Sequence, residues 1–298
     1  MSRIRPGLWL SLAALTFGLA LPASANAQTF GIGNAPQLIV GNVTGGDVTP
    51  DGAAPAMTQQ AVDKVEATLA WGAAMRAGDV AGAKRAADTY TAKWGGPALN
   101  SQPPSKSLKT PIAMKYLLTD AYLAVNQVGQ LNNYYCGPAA GYEIIRYTNG
   151  AVPSVYDGTA LSQTGLANFH HMQTDYYGVT DWARGQFVTG VNRWRGNNFY
   201  VQVNAPSATL LPDVFTYSIG WYGMPFSGDT VEFVNGPHYN GHPNLLIGHW
   251  ITAYAYSLSG AYGWWADSST TIFASAAATF GYDSSSFSSF LQSNGIAY

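Results

Sequence analysis

Thiols, charge and long apolar runs are all scarce in this chain of 298 residues. It carries a single cysteine, Cys136. That excludes an intramolecular disulfide framework, which uses cysteines in even numbers. Charged residues make up 10% of the chain, and between residues 121 and 298 there is no lysine, with Arg146, Arg184, Arg193 and Arg195 the only arginines. The net charge is −2; without residues 1–27, which hold Arg3 and Arg5 and no acid, twelve basic residues stand against sixteen acidic ones. Such a balance argues against nucleic acid or an anionic membrane surface as the main partner. No apolar run long enough to span a bilayer follows the N-terminal region, and no internal repeat is visible.

What is present begins with a targeting pattern. Arg3 and Arg5 form a short basic region, residues 8–21 are apolar, and Ala23-Ser24-Ala25 and Ala25-Asn26-Ala27 offer small-x-small cleavage sites. This predicts a secretory signal peptide over residues 1–27, a secreted, extracellular protein, and no stable membrane insertion once the segment is removed. No cysteine stands beside the cleavage sites, so a lipoprotein is excluded. A lone thiol outside the cytosol is exposed to oxidation. A small buried hydrophobe is the ordinary reading of such a residue, but the neighbours of Cys136 point elsewhere.

Along the chain, residues 28–56 are rich in Gly, Pro, Ala and Thr and read as a linker. Residues 58–77 read as a helix with Val62, Val65, Leu69 and Met75 inward and Asp63, Lys64, Glu66 and Arg76 mostly elsewhere. Gly78 ends it, and Asp79 caps a second helix running to Trp94. The pair makes a helical hairpin. Residues 28–110 thus comprise linker and hairpin, in the position expected of a pro-segment, with a boundary near residue 110. From 111 to 298 Tyr, Trp, Gly, Ser and Asn dominate. Residues 138–148 read as a helix with Pro138 in its first turn and Ile144 and Ile145 inward. Residues 161–203 read as a helix plus a strand, 215–221 and 230–234 as strands, and 249–256 with 261–266 as a β-hairpin.

The chemistry gathers around Cys136. A cysteine nucleophile works as its thiolate, so a pKa of ~8.5 must fall, which a helix N-terminus or an adjacent imidazolium achieves. Cys136 precedes Gly137-Pro138 at such a helix start. Small residues at Gly137, Ala139, Ala140 and Gly141 suggest room for a substrate backbone, and Tyr134 and Tyr135 suggest cleft walls. The base should be a histidine. Of the five, His249 opens a strand behind Gly248 and is best placed to project into a cleft. His238 and His242 share a Gly-, Asn- and Pro-rich loop with no Cys, Asp or Glu at ligand spacing, so no metal site is expected. His170 and His171 read as a surface or loop pair. The base needs an orienting group. Only Asp267 and Asp283 follow His249 among carboxylates. A turn centred on Leu258 would set His249 opposite Asp267, Tyr254 opposite Tyr262 and Ile251 opposite Trp265, with Trp264 and Trp265 shielding the pair. A one-residue slip would separate them, and the plainer role of Asp267 is to cap the turn at Ser268-Ser269. Gln130, six positions before the thiol, offers a side-chain amide as oxyanion donor; Gln127, nine before, is the competitor.

Gln130-x5-Cys136-Gly-Pro-Ala, then Gly248-His249-Trp250 opening a strand, then Tyr/Trp-rich sequence ending in Asp267, resembles the bacteriocin-processing (double-glycine) peptidase-like branch of the papain-like cysteine peptidases, in its secreted, stand-alone bacterial form. The resemblance covers residues 115–298. It implies an α+β papain-like fold, in which a helix carrying the cysteine packs on an antiparallel sheet carrying His and Asp. It also implies Cys136 as nucleophile, His249 as base, Asp267 as orienter and Gln130 as oxyanion donor, with no cofactor. The chain shows no ATP-binding cassette, so intracellular leader-peptide cleavage does not carry over. The expectation is a secreted thiol hydrolase acting on a peptide or protein substrate. The alternatives are a transpeptidase or amidase at the same site, or a catalytically silent module whose nine tryptophans and nineteen tyrosines bind peptide or carbohydrate.

Overall fold

A computed structural model describes residues 55–97 and 119–298. The signal-peptide reading, nearly all of the 28–56 linker and the boundary near 110 lie outside the described residues. Helix α1 (Gln59–Arg76) starts where the Thr58 side chain accepts from the Ala61 amide, and α2 (Val80–Trp94) where Asp79 accepts from that of Gly82. Both caps satisfy amides that have no partner inside their helix. Gly78 makes the turn between them at a φ of 71°, a backbone region open to glycine.

The inward face of α1 differs from expectation. Ala61, Lys64, Thr68, Trp71 and Gly72 are the buried residues, and Leu69 is exposed. Trp71 sets this rotation, since the largest apolar side chain claims the core. Its ring lies 5.0 Å from Trp221 and 5.9 Å from Tyr217. Lys64 follows it inward. Its Nζ donates to the Phe199 carbonyl at 2.8 Å and stands 3.6 Å from the Phe199 ring centroid. Burial first, then the Arg195 charge, pushes the Lys64 pKa well down. Hairpin and sheet fall in one unit.

The sheet is antiparallel, giving an α+β fold. Its strands are β1 (Ala121–Tyr122), β2 (Gln202–Asn204), β3 (Phe226–Glu232), β4 (Ile247–Ser257), β5 (Tyr262–Ala266), β6 (Thr279–Asp283) and β7 (Gly295–Ala297). They lie in the order β2-β7-β3-β4-β5-β6, with β1 also paired to β4. The long strand β4 is central and buried almost throughout. Helix α3 (Cys136–Asn149) packs against it, with the Thr252 hydroxyl donating to the Ala140 carbonyl at 3.4 Å. Cys136, Ala140, Ile144, Phe187, Trp194 and Trp250 form the core between α3, β4 and helix α4 (Gln186–Arg195). A second core joins Trp71 to Phe215, Tyr217, Phe226, Ile251 and Trp265.

Several sequence expectations give way. Residues 215–221 form a π-helix continuing Leu210–Val214, not a strand. Five of the seven are buried, and a run buried nearly all round carries no period to tell helix from strand. Strand β3 ends at Glu232, leaving Phe233 and Val234 exposed. Residues 161–203 hold three short helices, Gln163–Ala167, Thr174–Tyr177 and α4, before β2. Strands β4 and β5 do form a hairpin, turning at Leu258 and Ser259, which both have positive φ. Its register differs: Trp265 faces Ala253, Trp264 faces Ala255 and Tyr262 faces Ser257, with a bulge between Ala253 and Ala255. The displacement begins at the turn, which is wider than a turn centred on Leu258 alone, and the bulge, which adds one residue to one strand, changes it again before Ala266.

Candidate active site

The site is best built from Asp267, which follows β5 directly. Its carboxylate is fully buried and accepts four bonds. Oδ1 takes the Ser269 amide at 2.8 Å and His249 Nε2 at 2.9 Å. Oδ2 takes the Asn240 amide nitrogen at 2.8 Å and His242 Nε2 at 3.0 Å. Burial opposes the charged form, but the two rings outweigh it and hold the Asp267 carboxyl well below the usual range. Asp267 thus makes both contacts expected as alternatives, to the Ser269 amide of the turn and to His249. The register difference leaves the pair intact: Thr252 faces Ala266, so continuing that register by one residue pairs Ile251 with position 267. His249 is two residues further along β4 and keeps the same face, a diagonal neighbour.

Because Nε2 of His249 faces a carboxylate, that nitrogen carries the proton. Nδ1 is left as the basic nitrogen. Cys136 opens α3 with no side-chain cap at Tyr135, so the helix start presents its positive end there. The thiol is fully buried. It shares its core with Trp250, the residue after His249. Burial first, then the Glu232 and Asp267 charges, pushes the Tyr239 phenol well up, and its ring lies 4.6 Å from His242. Segment 174–180 closes over the helix start. Trp250 Nε1 donates to the Thr180 carbonyl at 3.0 Å, and a Cβ on Gly137 would meet Thr180 Oγ1 at 2.2 Å. The small residues at 137 and 141 therefore admit the chain's own Thr180 and Met172 rather than a substrate backbone. Tyr135 is buried and donates to Asp175 Oδ1 at 2.6 Å.

Gln130 is tied to the same loop as Asp267. Its amide N–H donates to the Ser268 carbonyl at 2.9 Å, its carbonyl accepts from the Thr271 hydroxyl at 2.7 Å, and its Oε1 accepts from the Ser268 hydroxyl at 3.2 Å. The last bond fixes the amide so that Nε2 points away; one Nε2 hydrogen goes to the Asn132 carbonyl at 2.8 Å. Gln127 is spoken for, donating to the Asp267 carbonyl at 2.7 Å. Two further side chains hold residues 127–131. Glu143 Oε1 accepts from the Val128 amide at 2.9 Å, and Gln163 bridges the Gly129 carbonyl and the Leu131 amide. Helix α3 thereby carries both Cys136 and the carboxyl that sets the height of the Gln130 loop. Burial pushes the Glu143 pKa up to about 8, with the Asp267 charge adding to it, so this acid is protonated at neutral pH.

Sequence reasoning missed His242 and Glu232. His242 is buried, its Nδ1 2.5 Å from Glu232 Oε1. Burial lowers its pKa, but Asp267 and Glu232 more than reverse this and raise it to about 9. His242, His249 and Asp267 could offer ligand atoms to a metal ion, all within 4.8 Å of one another. Both His242 nitrogens already face carboxylates and His249 Nε2 faces Asp267, so these nitrogens are turned to the acids rather than to a shared ligand position. The signal for His242 was a glutamate closing the preceding strand, ten residues upstream, rather than one at ligand spacing. His171 also departs from expectation. It is buried, 3.2 Å from Asp157 Oδ1, while His170 is exposed. Trp265 packs in the core against Phe226, and Trp264 turns partly outward, so neither tryptophan takes the expected shielding role.

No family model matches the sequence, and no curated protein does. Among solved structures, the chain is similar to xylellain, a cysteine protease from Xylella fastidiosa. The two share 16% identity at a TM-score of 0.31, over 66% of this chain and 88% of that one. A TM-score at that level carries no structural weight, and the bonds around Asp267 decide the reading instead. Among the described residues no helix is long and apolar enough to cross a membrane.

Proposed function

We propose that this protein is a papain-like thiol hydrolase that cleaves peptide bonds, secreted after loss of residues 1–27. The observation that carries the reading is the buried His249 Nε2–Asp267 Oδ1 bond of 2.9 Å, with Cys136 at a helix start whose core includes Trp250, the residue after His249. In this reading Cys136 gives its proton to His249 Nδ1, and the thiolate adds to the substrate carbonyl carbon. The Gln130 amide and the Cys136 backbone N–H receive the oxyanion. As the intermediate collapses, the C–N bond breaks and His249 passes its proton to the leaving amine. Water, deprotonated by His249, then attacks the thioester, releasing the acid and restoring the thiol. No metal or organic cofactor takes part. The partner is a peptide or protein.

Incubating the purified secreted protein with a mixed peptide library, beside Cys136→Ala, tests this. Cleavage by the wild type and none by the variant is expected; cleavage by neither, in a correctly folded protein whose thiol is intact, contradicts it. A second reading, a silent binding module, is favoured by one observation: Tyr156, Phe169, Tyr176 and Tyr177 are exposed and touch in sequence with His170 along one stretch of surface. Cleavage excludes silence, and the aromatic stretch would then be available to substrate. The α1–α2 hairpin stays with the enzyme as a structural part in this proposal, supported by the burial of Trp71 and Lys64.

A further inference from the structure

We propose that Glu232 and His242 are positioning residues of this same site, acting on His249 through Asp267. The proposal rests on the hydrolase reading and adds a second charged pair behind its orienting acid. The geometry is a row of buried groups: Glu232 Oε1 to His242 Nδ1 at 2.5 Å, His242 Nε2 to Asp267 Oδ2 at 3.0 Å, and Asp267 Oδ1 to His249 Nε2 at 2.9 Å. A neutral imidazole has one N–H and would turn a lone pair toward one of its two carboxylates. With a carboxylate at each end, the ring is satisfied only when both nitrogens carry protons. Signs then alternate along the row, and each buried charge has an opposite neighbour, the condition under which buried ions persist.

Glu232 is anchored in turn. Its Oε2 accepts from the Tyr239 amide at 3.1 Å and faces His238 Nδ1 at 2.9 Å. The loop 233–246 is drawn onto the site by the same contacts. Asn240, at a φ of 48°, donates to Asp267 Oδ2 and to the Ala277 carbonyl. The loop thus supplies Asp267 Oδ2 with both of its donors.

Asp267 can rotate about its own bond, and a rotated carboxylate would release His249. Two donors on Oδ2 and two on Oδ1 remove that freedom. Among the donors other than His249 itself, which are His242, Asn240 and the Ser269 amide, His242 is the one whose strength depends on protonation. The titratable groups facing it are Glu232 and Asp267 directly, His249 with ring centroids 5.6 Å apart, and Tyr239 at 4.6 Å; Glu143 lies behind Asp267, whose charge helps keep it protonated. The Ser269 hydroxyl lies 3.0 Å from His242 Nε2, and Phe273 closes the remaining side. Loss of a supporting partner of this kind costs on the order of 10- to 100-fold in function at metal sites, where outer partners have been measured.

The test is the iodoacetamide alkylation rate of Cys136 across pH 5 to 10 in the full secreted chain, for wild type, His242→Gln and Glu232→Gln. Near-UV circular dichroism reports folding. His242→Gln is expected to slow alkylation at pH 7 by about 10-fold or more and to change the shape of the pH profile. Glu232→Gln keeps an acceptor for Tyr239 but removes one charge from His242, and is expected to move the alkaline limb to lower pH. If His242→Gln does not fold, Glu232→Gln alone decides. Folded variants that match the wild-type rate and profile overturn the proposal and leave the hydrolase reading standing. A wild-type thiol without a profile distinct from an ordinary cysteine overturns both.

Discussion

Replacing Glu143 by glutamine should stabilise the protein at neutral pH, although it alters a buried, hydrogen-bonded side chain. Glu143 is 1% exposed and its Oε1 accepts the Val128 amide at 2.9 Å. Glutamine keeps that acceptor in the same place. What it removes is an ionisable group whose pKa burial lifts from 4.5 to about 8. A carboxyl with a raised folded-state pKa supports folding fully below its unfolded value, and that support is lost as pH climbs toward the folded value. At pH 7 the chain holds protonated an acid that would ionise freely when unfolded. Each unit of separation is worth 1.36 kcal/mol, so the cost is about 3 kcal/mol at pH 7 and approaches its limit near pH 8. Glutamine carries no such cost. Urea unfolding at pH 5, 6, 7 and 8 measures it. The wild type should lose about 3 kcal/mol more than Glu143→Gln between pH 5 and 8. Parallel stability curves for the two proteins, whatever their offset, would refute the reasoning, because an offset independent of pH reflects packing and not ionisation.

Other outcomes follow from single contacts. Trp71→Ala should cost about 3–5 kcal/mol and keep one unfolding transition, since Trp71 is buried between the hairpin and the Tyr217–Trp221 segment; a separate early transition of the hairpin would show it to be dispensable. Gln130→Ala should lower peptide turnover by about 10²–10³ while Cys136 still alkylates; equal turnover would remove Gln130 from the oxyanion site. Gly137→Ala should destabilise by about 1–3 kcal/mol, because the added Cβ meets Thr180 Oγ1 at 2.2 Å; a neutral result in urea unfolding would mean that segment 174–180 yields easily.

What could be read in advance followed local chemistry. Gly78 and Asp79 announced the α1–α2 hairpin because caps and turns act within a few residues. Cys136 before Gly137-Pro138 announced the start of α3 in the same way. His249 and Asp267 were paired through a register that is already displaced beside the turn, where Tyr262 faces Ser257 rather than Tyr254; the bulge at Ala253/Ala255 makes the displacement even, so the face is preserved. Long-range packing was not legible. Nothing in the α1 pattern says that Trp71 would turn Lys64 into the core. Nothing in the aromatic run at 215–221 says it continues a helix. His242 and Glu232 are ten residues apart in sequence and meet only because the loop 233–246 folds back over β5's end.

The central claim is that His249 and Asp267 activate the Cys136 thiol. The most direct test is iodoacetamide labelling of the purified protein across pH, read by intact mass, beside His249→Ala. The account expects labelling that stays rapid well below pH 8 in the wild type and slows in the variant. Labelling that is absent, or that follows an ordinary thiol and is indifferent to His249, would contradict it.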